Sequence, residues 1–353
     1  MEYNHIEYKK PLYRVKANLK EHLKNYSRLV SLPVCYEDLT EYEELFPLID
    51  DKGKSTLWHM VMYNKENIAL LSKTLVDVYQ KLISEGDNIS YLKIDRIDFC
   101  SFGNSQPFRI RVVNEANGNY DYFYIKKADS SRIYGLELEE IFSPDKVNYM
   151  VDKQTLVEEH IVGIPLDDFI LRNNDVAIEN RFRLAKEFVR FNERTFVRLL
   201  GDMRAYNYVV EIIQDFDNVQ YHLRAMDFDQ QSFEGRKNIY KPQFYKGNMA
   251  LVNLVQELMS EEVSSQYQRI ERVSMKKRFL ASRQRTRSLL RIMRKDRIST
   301  DNNINILRNE LAAHHNDNDF LKYTNMGDIL NRHIEKMLNV DILTKSELLP
   351  TRQ

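Results

Sequence analysis

The sequence predicts an α+β protein with two lobes, a small antiparallel sheet that carries one helix and a mainly helical second lobe. The prediction comes from a change in hydrophobic period along the chain. Apolar residues recur at three- and four-residue steps before residue 88 and again after about residue 177, as on one face of a helix. Between residues 89 and 160 the period shortens to about two, as in half-buried strands. We therefore divide the chain into a helical N-terminal extension (1–88), a sheet lobe (89–160) and a helical lobe (161–353).

The N-terminal extension is predicted to be helical throughout. Its apolar residues follow helical spacing, namely Leu57, Met60 and Val61, then Ile68, Leu71, Leu75, Val78 and Leu82.

The sheet lobe is predicted to contain five strands, at 89–94, 108–112, 122–125, 147–151 and 155–160. Asn117-Gly118-Asn119 supplies residues that tolerate the positive φ of a hairpin turn. One helix is inserted, from Ser130 or Ser131 to Glu140, because Pro144 disfavours helical geometry just before it. The helical lobe is predicted to contain a long helix at 177–199, two strands at 208–213 and 221–226, and further helices from 249 onward.

Composition excludes several classes of protein. The chain has 353 residues, with 52 Lys and Arg against 52 Asp and Glu, so no net charge attracts nucleic acid or anionic lipid. Apolar runs are far shorter than the ~20 residues that span a bilayer, and the N-terminus has no secretory signal pattern. Two cysteines without a CxxC pair fit a reducing compartment. We expect a cytoplasmic protein with no membrane partner.

Three polar residues in the helical lobe have the spacing that phosphoryl transfer requires. Asp202 and Asn207 stand between the long helix and a strand, and Asp227 ends the next strand. Phosphoryl transfer needs one carboxylate to deprotonate the acceptor hydroxyl, and an amide and a second carboxylate to hold Mg²⁺ against the phosphates. Asp229, two residues further on, is either a second metal ligand or an acidic turn residue.

In this pattern the chain resembles the protein-kinase-like superfamily, and within it the aminoglycoside phosphotransferases and other atypical bacterial kinases. Their catalytic loop reads G-D-x-x-x-x-N, as Gly201-Asp202 to Asn207 does here. The resemblance covers about 95–260 and implies a bilobal kinase-like fold that uses ATP and Mg²⁺. It implies that Asp202 is the catalytic base and that Asn207 and Asp227 bind the metal.

The resemblance also implies roles for residues of the sheet lobe. Lys126 would bind the α- and β-phosphates, with Lys127 as the alternative on the opposite face of its strand. Its helix partner would be Glu137, with Glu140 as the alternative. The adenine hinge and the phosphate loop would be formed by Glu158, Glu159, His160 and Ile161, and by Gly103, Asn104 and Ser105.

The sequence departs from the family pattern in its glycine loop, which has no G-x-G-x-x-G. The function we expect is an ATP- and Mg²⁺-dependent phosphotransferase acting on a hydroxyl acceptor, a small molecule or a protein. The alternative is a pseudokinase, a nucleotide-binding or interaction module without catalysis.

Segment 233–248 is predicted to bind the acceptor, and its Arg236, Lys237, Lys241 and Lys246 favour an anionic one. Segment 269–297 is rich in arginine and lysine; we expect a solvated basic helix and no nucleic-acid partner.

Overall fold

A computed structural model describes residues 10–50, 53–83, 89–172, 178–215 and 218–343. The chain forms two compact units. The first consists of Met1–Ser130 with Val147–His160, and the second of Ser131–Lys146 with Ile161–Gln353. The predicted boundary at residue 88 lies outside the described residues. Among the described residues no helix combines the length and the apolar character needed to cross a membrane.

The first unit is built on a seven-stranded antiparallel sheet in the order β1-β2-β3-β4-β5-β7-β6. Five of these strands, β3 to β7, confirm the strands predicted between 89 and 160. The elements of this unit are α1 (Ala17–Asn25), β1 (Glu44–Ile49), β2 (Ser55–Met62), α2 (Lys65–Ile83), β3 (Leu92–Phe99), β4 (Phe108–Asn114), β5 (Tyr120–Lys127), β6 (Tyr149–Asp152) and β7 (Thr155–Glu159).

The prediction of a wholly helical extension is wrong for strands β1 and β2. Leu57, Met60 and Val61 lie on β2, which pairs with β1 along its length and with β3 at His59 and Met60. Burial along β2 does not alternate, because five of its eight residues are intermediate or buried in an irregular order. A strand without a clear period of two resembles a short helical pattern in sequence. The helical part of the prediction is confirmed at α2.

Helix α2 covers one face of the sheet, as its apolar spacing requires. Leu75 and Val78 of α2 are fully buried in one core with Phe108, Ile110 and Phe123 of β4 and β5. Removing that apolar surface from water contributes about 25 cal/mol per Å². The opposite face of β5 carries Lys126.

The second unit is mainly helical and contains a three-stranded antiparallel sheet in the order β10-β9-β8. The predicted long helix and the two predicted strands are confirmed. The elements of this unit are α3 (Ser130–Phe142), β8 (Ile164–Pro165), α4 (Leu166–Arg172), α5 (Ile178–Arg198), β9 (Tyr208–Asp215), β10 (Asn218–Ala225), α6 (Met249–Leu258), α7 (Glu261–Ala281), α8 (Arg283–Met293), α9 (Asp301–His315) and α10 (Met326–Leu338).

Helix α3, which the sequence places within the sheet lobe, is enclosed by the second unit. Every residue from 131 to 139 is buried. Tyr134 donates a hydrogen bond to Asp296 at 2.6 Å, and Glu139 forms an ion pair with Arg198 of α5. A buried helix that carries charged residues needs such partners. These bonds explain why α3 groups with the helical unit.

The basic segment 269–297 is less solvated than predicted. It forms α7 and α8, and several of its arginines are used in ion pairs within the unit. Arg272 binds Glu193 at 2.8 Å, and Arg285 binds Glu137 with two hydrogen bonds of 2.8 and 3.0 Å. The expectation of a solvated basic helix is therefore wrong for these side chains, because buried carboxylates on α3 and α5 need cations beside them.

Candidate functional site

The loop between α5 and β9 has an unusual backbone at Asp202. Its φ is +57°, in the left-handed region that non-glycine residues seldom adopt, although aspartate does so more often than most. The Asp202 N–H donates to the Tyr245 hydroxyl at 3.0 Å, and the Arg204 N–H donates to the Asp202 carbonyl at 2.8 Å. Backbone strain of this kind clusters at functional sites.

The side chain of Asn207 forms hydrogen bonds across this loop to Asp202. Its Nδ2 donates to the Asp202 carbonyl at 2.7 Å and lies 3.4 Å from the Asp202 carboxylate. The Asn207 carbonyl accepts the N–H of Met226 at 3.0 Å, one residue before Asp227. The structure thus brings together Asp202, Asn207 and the chain leading into Asp227, three positions that the sequence alone related only by spacing.

The Asp202 carboxylate lies in a partly buried, mixed electrostatic setting. Burial raises its pKa above the ordinary value, while ion pairing with Arg204 at 2.7 Å and the amide of Asn207 act in the opposite direction. The negative charge of Asp229 adds to the rise. A raised pKa makes a carboxylate a stronger base toward a hydroxyl proton once it is ionised.

Asp227 and Asp229 share one cation, the guanidinium of Arg132 on the first turn of α3. A single nitrogen, Nη1, lies 2.9 Å from a carboxylate oxygen of each aspartate. The Arg132 side chain is 3% exposed, against 32% for Asp227 and 9% for Asp229. The second nitrogen, Nη2, donates to the Met226 carbonyl at 3.3 Å. A buried guanidinium therefore lies between the two carboxylates that the sequence assigns to a metal.

Sequence reasoning did not identify Arg132 as part of the site. It follows two serines at the start of a predicted helix, where a lone arginine is unremarkable. Its partners Asp227 and Asp229 lie 95 and 97 residues away. No local pattern could have paired them.

In the first unit, Lys126 and Lys127 lie on opposite faces of β5, as predicted. Lys126 forms an ion pair with Glu158 of β7 at 2.6 Å and is 8% exposed. Lys127 donates to the side chain of Gln106 at 2.7 Å. Of the two, Lys126 is the one with a buried carboxylate partner in its own unit.

Glu158, the first residue of the predicted hinge, is part of strand β7, and its hinge role stays a prediction. Glu158 pairs with Tyr124 of β5 on one side and Tyr149 of β6 on the other, so it lies inside the sheet. Its side chain binds Lys126. The Glu159 N–H also donates within the unit, to the Asn148 carbonyl at 3.0 Å. The hinge roles of Glu159 and of His160 and Ile161, which follow the strand, also stay predictions.

His160 follows this strand, and its ring packs against the rings of Tyr122 and Tyr124 of β5. The Tyr124 hydroxyl lies 3.1 Å from His160 Nδ1, and burial lowers the pKa of His160. Burial also raises the pKa of Tyr124 to about 12. Both side chains are therefore neutral near pH 7.

The predicted phosphate loop is a tight turn between β3 and β4. The Gln106 N–H donates to the Gly103 carbonyl at 3.1 Å, and the Ser105 carbonyl accepts the Lys127 N–H at 3.3 Å. Ser105 is buried. The role of Gly103, Asn104 and Ser105 toward phosphate stays a prediction.

Glu137 and Glu140, the two candidates for a partner of Lys126, both bind Arg285 of α8. Glu137 is fully buried, and Arg285 reaches Glu140 at 2.9 Å. The guanidinium between the two carboxylates gives each a cation within the second unit. A pair between Lys126 and Glu137 stays a prediction.

A cavity of about 260 Å³ is lined mainly by residues of segment 233–248, which is predicted to bind the acceptor. Tyr245, which accepts the Asp202 N–H, lines it. Lys241 points elsewhere, because its ammonium lies 4.2 Å from the centre of the Phe196 ring. Burial lowers the pKa of Lys241. The cavity is lined by Arg236, Asn238, Ile239, Phe244, Tyr245 and Glu310.

No protein-family model matches the chain, and no curated protein matches its sequence. The structure of the chain does match solved structures of kinase-like proteins. Rio2 kinase from Chaetomium thermophilum, in an ADP/Mg²⁺-phosphoaspartate complex, is 11% identical over 69% of this chain and 79% of its own, with a TM-score of 0.29. Rad53 with AMP-PNP is 14% identical over 61% and 64%, with a TM-score of 0.25. The Neurospora crassa PAN3 pseudokinase is 12% identical over 94% and 66%, with a TM-score of 0.20.

The structural neighbours of this chain are thus protein-kinase-like and include a pseudokinase. The chemistry of the site rests on its own residues. The predicted likeness to aminoglycoside phosphotransferases stays a prediction.

Proposed function

We propose that this chain is a kinase-like protein that binds a nucleoside triphosphate and transfers its terminal phosphoryl group to a hydroxyl acceptor. The loop of Asp202 and Asn207 carries the proposal. Asn207 fixes the Asp202 backbone through its side-chain amide and is bonded, through its carbonyl, to the strand end that leads into Asp227. The second bond continues the β9–β10 ladder, so the loop and the segment leading into Asp227 are held at the same end of one hairpin.

The proposed reaction forms no covalent bond between the substrate and the protein. The ionised Asp202 carboxylate accepts the proton of the acceptor hydroxyl, whose oxygen forms a bond to the terminal phosphorus. The bond from that phosphorus to the bridging oxygen breaks, and the nucleoside diphosphate leaves with the electron pair. Positioning and charge stabilisation supply most of the rate enhancement in such reactions. Lys126 keeps its predicted role toward the phosphates.

The predicted Mg²⁺ ligands do not fit a metal ion as they stand. Carboxylate and amide oxygens are the ligands that Mg²⁺ prefers, and Asn207, Asp227 and Asp229 provide them. However, the Arg132 guanidinium already lies 2.9 Å from both carboxylates. We therefore assign no step to Mg²⁺.

The cavity at Tyr245 is the proposed acceptor site, because Tyr245 both lines it and accepts the Asp202 N–H. Arg236 and Glu310 face the same cavity, so an acceptor with both an acidic and a basic group fits it better than the polyanion expected from sequence.

The test is turnover of γ-labelled ATP, with and without Mg²⁺, measured as ADP release and as label transferred to protein or to a panel of hydroxyl compounds. Asp202→Asn should reduce turnover by about 10²- to 10⁴-fold, the usual loss with a general base, and should retain nucleotide binding. Asp301→Asn, an exposed aspartate on α9, is the matched control and should leave turnover unchanged. Equal rates for the wild type and Asp202→Asn would refute the role of Asp202.

The second candidate function is a pseudokinase, and Arg132 is the observation that favours it. A guanidinium between the two carboxylates offsets part of their negative charge without a metal ion. A nucleotide-binding protein without catalysis does not require that metal ion. This function predicts nucleotide binding with no turnover under any metal condition. The same labelled-ATP assay, run beside a binding measurement, separates the two functions.

A further inference from the structure

The cation between Asp227 and Asp229 belongs to the protein itself. We propose that Arg132 is a built-in counter-ion that excludes divalent metal from the Asp227–Asp229 pair. It follows that nucleotide binding at this site does not depend on metal. This second statement rests on the proposed function, whereas the first concerns the chain alone and can be tested without nucleotide.

The backbone of Arg132 is held in place on both sides of the residue. The Ser131 hydroxyl donates to the Gln231 carbonyl at 3.1 Å. Gly135 lies so close to Phe228 that a Cβ there would be 2.9 Å from the Phe228 Cβ. The first turn of α3 is therefore packed directly against the segment that carries Asp227 and Asp229.

The rest of α3 is anchored as firmly. Glu139 pairs with Arg198, and Glu137 and Glu140 both pair with Arg285. These partners lie on α5 and α8, so α3 cannot withdraw Arg132 as a rigid body without breaking buried ion pairs. Only a change of the Arg132 side chain could clear the position, and that would leave a guanidinium now 3% exposed without its two carboxylates.

The electrostatic consequence follows from charge and distance. Two aspartates alone present a charge of −2, which suits a divalent ion, but with Arg132 the group carries only −1. A metal that entered beside the guanidinium would also be repelled by it from a few ångströms away. Even at the dielectric constant of water that repulsion weakens binding by about tenfold, and by more at a partly buried site.

The test is a titration with Mn²⁺ alone, followed by electron paramagnetic resonance of the free ion. Arg132→Met removes the charge and keeps much of the length, whereas Arg132→Lys keeps the charge. We expect no saturable site at submillimolar Mn²⁺ in the wild type or Arg132→Lys. Arg132→Met should gain one site, with affinity at least about tenfold higher, that adding Asp229→Asn removes again.

Each result of the titration bears on the proposal. Submillimolar binding of Mn²⁺ by the wild type overturns it, and this measurement needs no variant. An Arg132→Met protein that is folded by circular dichroism but gains no site also overturns it.

A separate titration with ATP, in EDTA and in Mg²⁺, tests the second statement. Dissociation constants that agree within about threefold support metal-independent binding, and tighter binding in Mg²⁺ by tenfold or more refutes it. Absence of ATP binding in both buffers refutes the proposed function and the second statement, and leaves the Mn²⁺ result on metal exclusion to stand by itself.

Discussion

Breaking the ion pair between Glu139 and Arg198 should destabilise the second unit strongly. Both side chains are almost completely buried, with 3% and 1% exposed. Glu139→Gln leaves the Arg198 guanidinium in the interior without a carboxylate. Removing one partner of a buried ion pair costs about 3–5 kcal/mol, because the remaining charge stays desolvated. We expect a loss of that size in the free energy of unfolding, measured by urea denaturation.

The double variant Glu139→Leu with Arg198→Met tests the reason for the loss. Replacing both charges by apolar groups of similar volume is often neutral or stabilising, so it should be more stable than Glu139→Gln alone. Lys322→Gln, which removes an exposed pair with Asp319, is the control and should cost less than about 1 kcal/mol. A loss below about 1 kcal/mol for Glu139→Gln would refute the claim that this pair holds α3 to α5.

Three further predictions concern pH and packing. Burial alone would lower the pKa of His222, but its two carboxylate partners outweigh burial and raise it to about 9. Protonated His222 and its two carboxylate partners therefore stabilise the fold below pH 6.5 by up to about 3 kcal/mol. His222→Gln should lower the free energy of unfolding, measured with urea, and this difference from the wild type should shrink as the pH rises through 9. Gly135→Ala should lower the free energy of unfolding by about 1 kcal/mol despite the better helix propensity of alanine, because its Cβ collides with Phe228; a more stable variant would contradict this. Arg204→Met should move the acidic limb of the pH–rate profile to higher pH, because Arg204 lowers the pKa of Asp202, and an unmoved limb would refute that coupling.

Much of the fold could be predicted from hydrophobic period. Strands β4 and β5 and helix α2 each bury mainly one face, which gives the sequence a period of two or of three to four. Strands β6 and β7 are buried almost throughout, so they are short, nearly continuous apolar runs. Strand β2 has no such pattern, since both of its faces are partly covered. The sequence therefore predicts a helix where the structure has this strand.

The candidate site could be predicted only where its chemistry is local. The loop from Asp202 to Asn207 is one short segment, so its residue types and spacing were visible. The partners that decide its electrostatics come from elsewhere. Arg132 meets Asp227 across 95 residues, and Lys126 meets Glu158 across 32. Such pairs are set by tertiary packing, which a single sequence does not display.

The most direct measurement for the central claim is the change in unfolding free energy that ATP produces in wild type and in Lys126→Met. At a concentration of 100 times the dissociation constant, a ligand specific for the folded state stabilises it by about 2.7 kcal/mol. We predict a shift of that size for the wild type, in EDTA as well as in Mg²⁺, and a clearly smaller shift for the variant at the same ATP concentration. No shift in the wild type at millimolar ATP, or an equal shift in both proteins, would contradict the account.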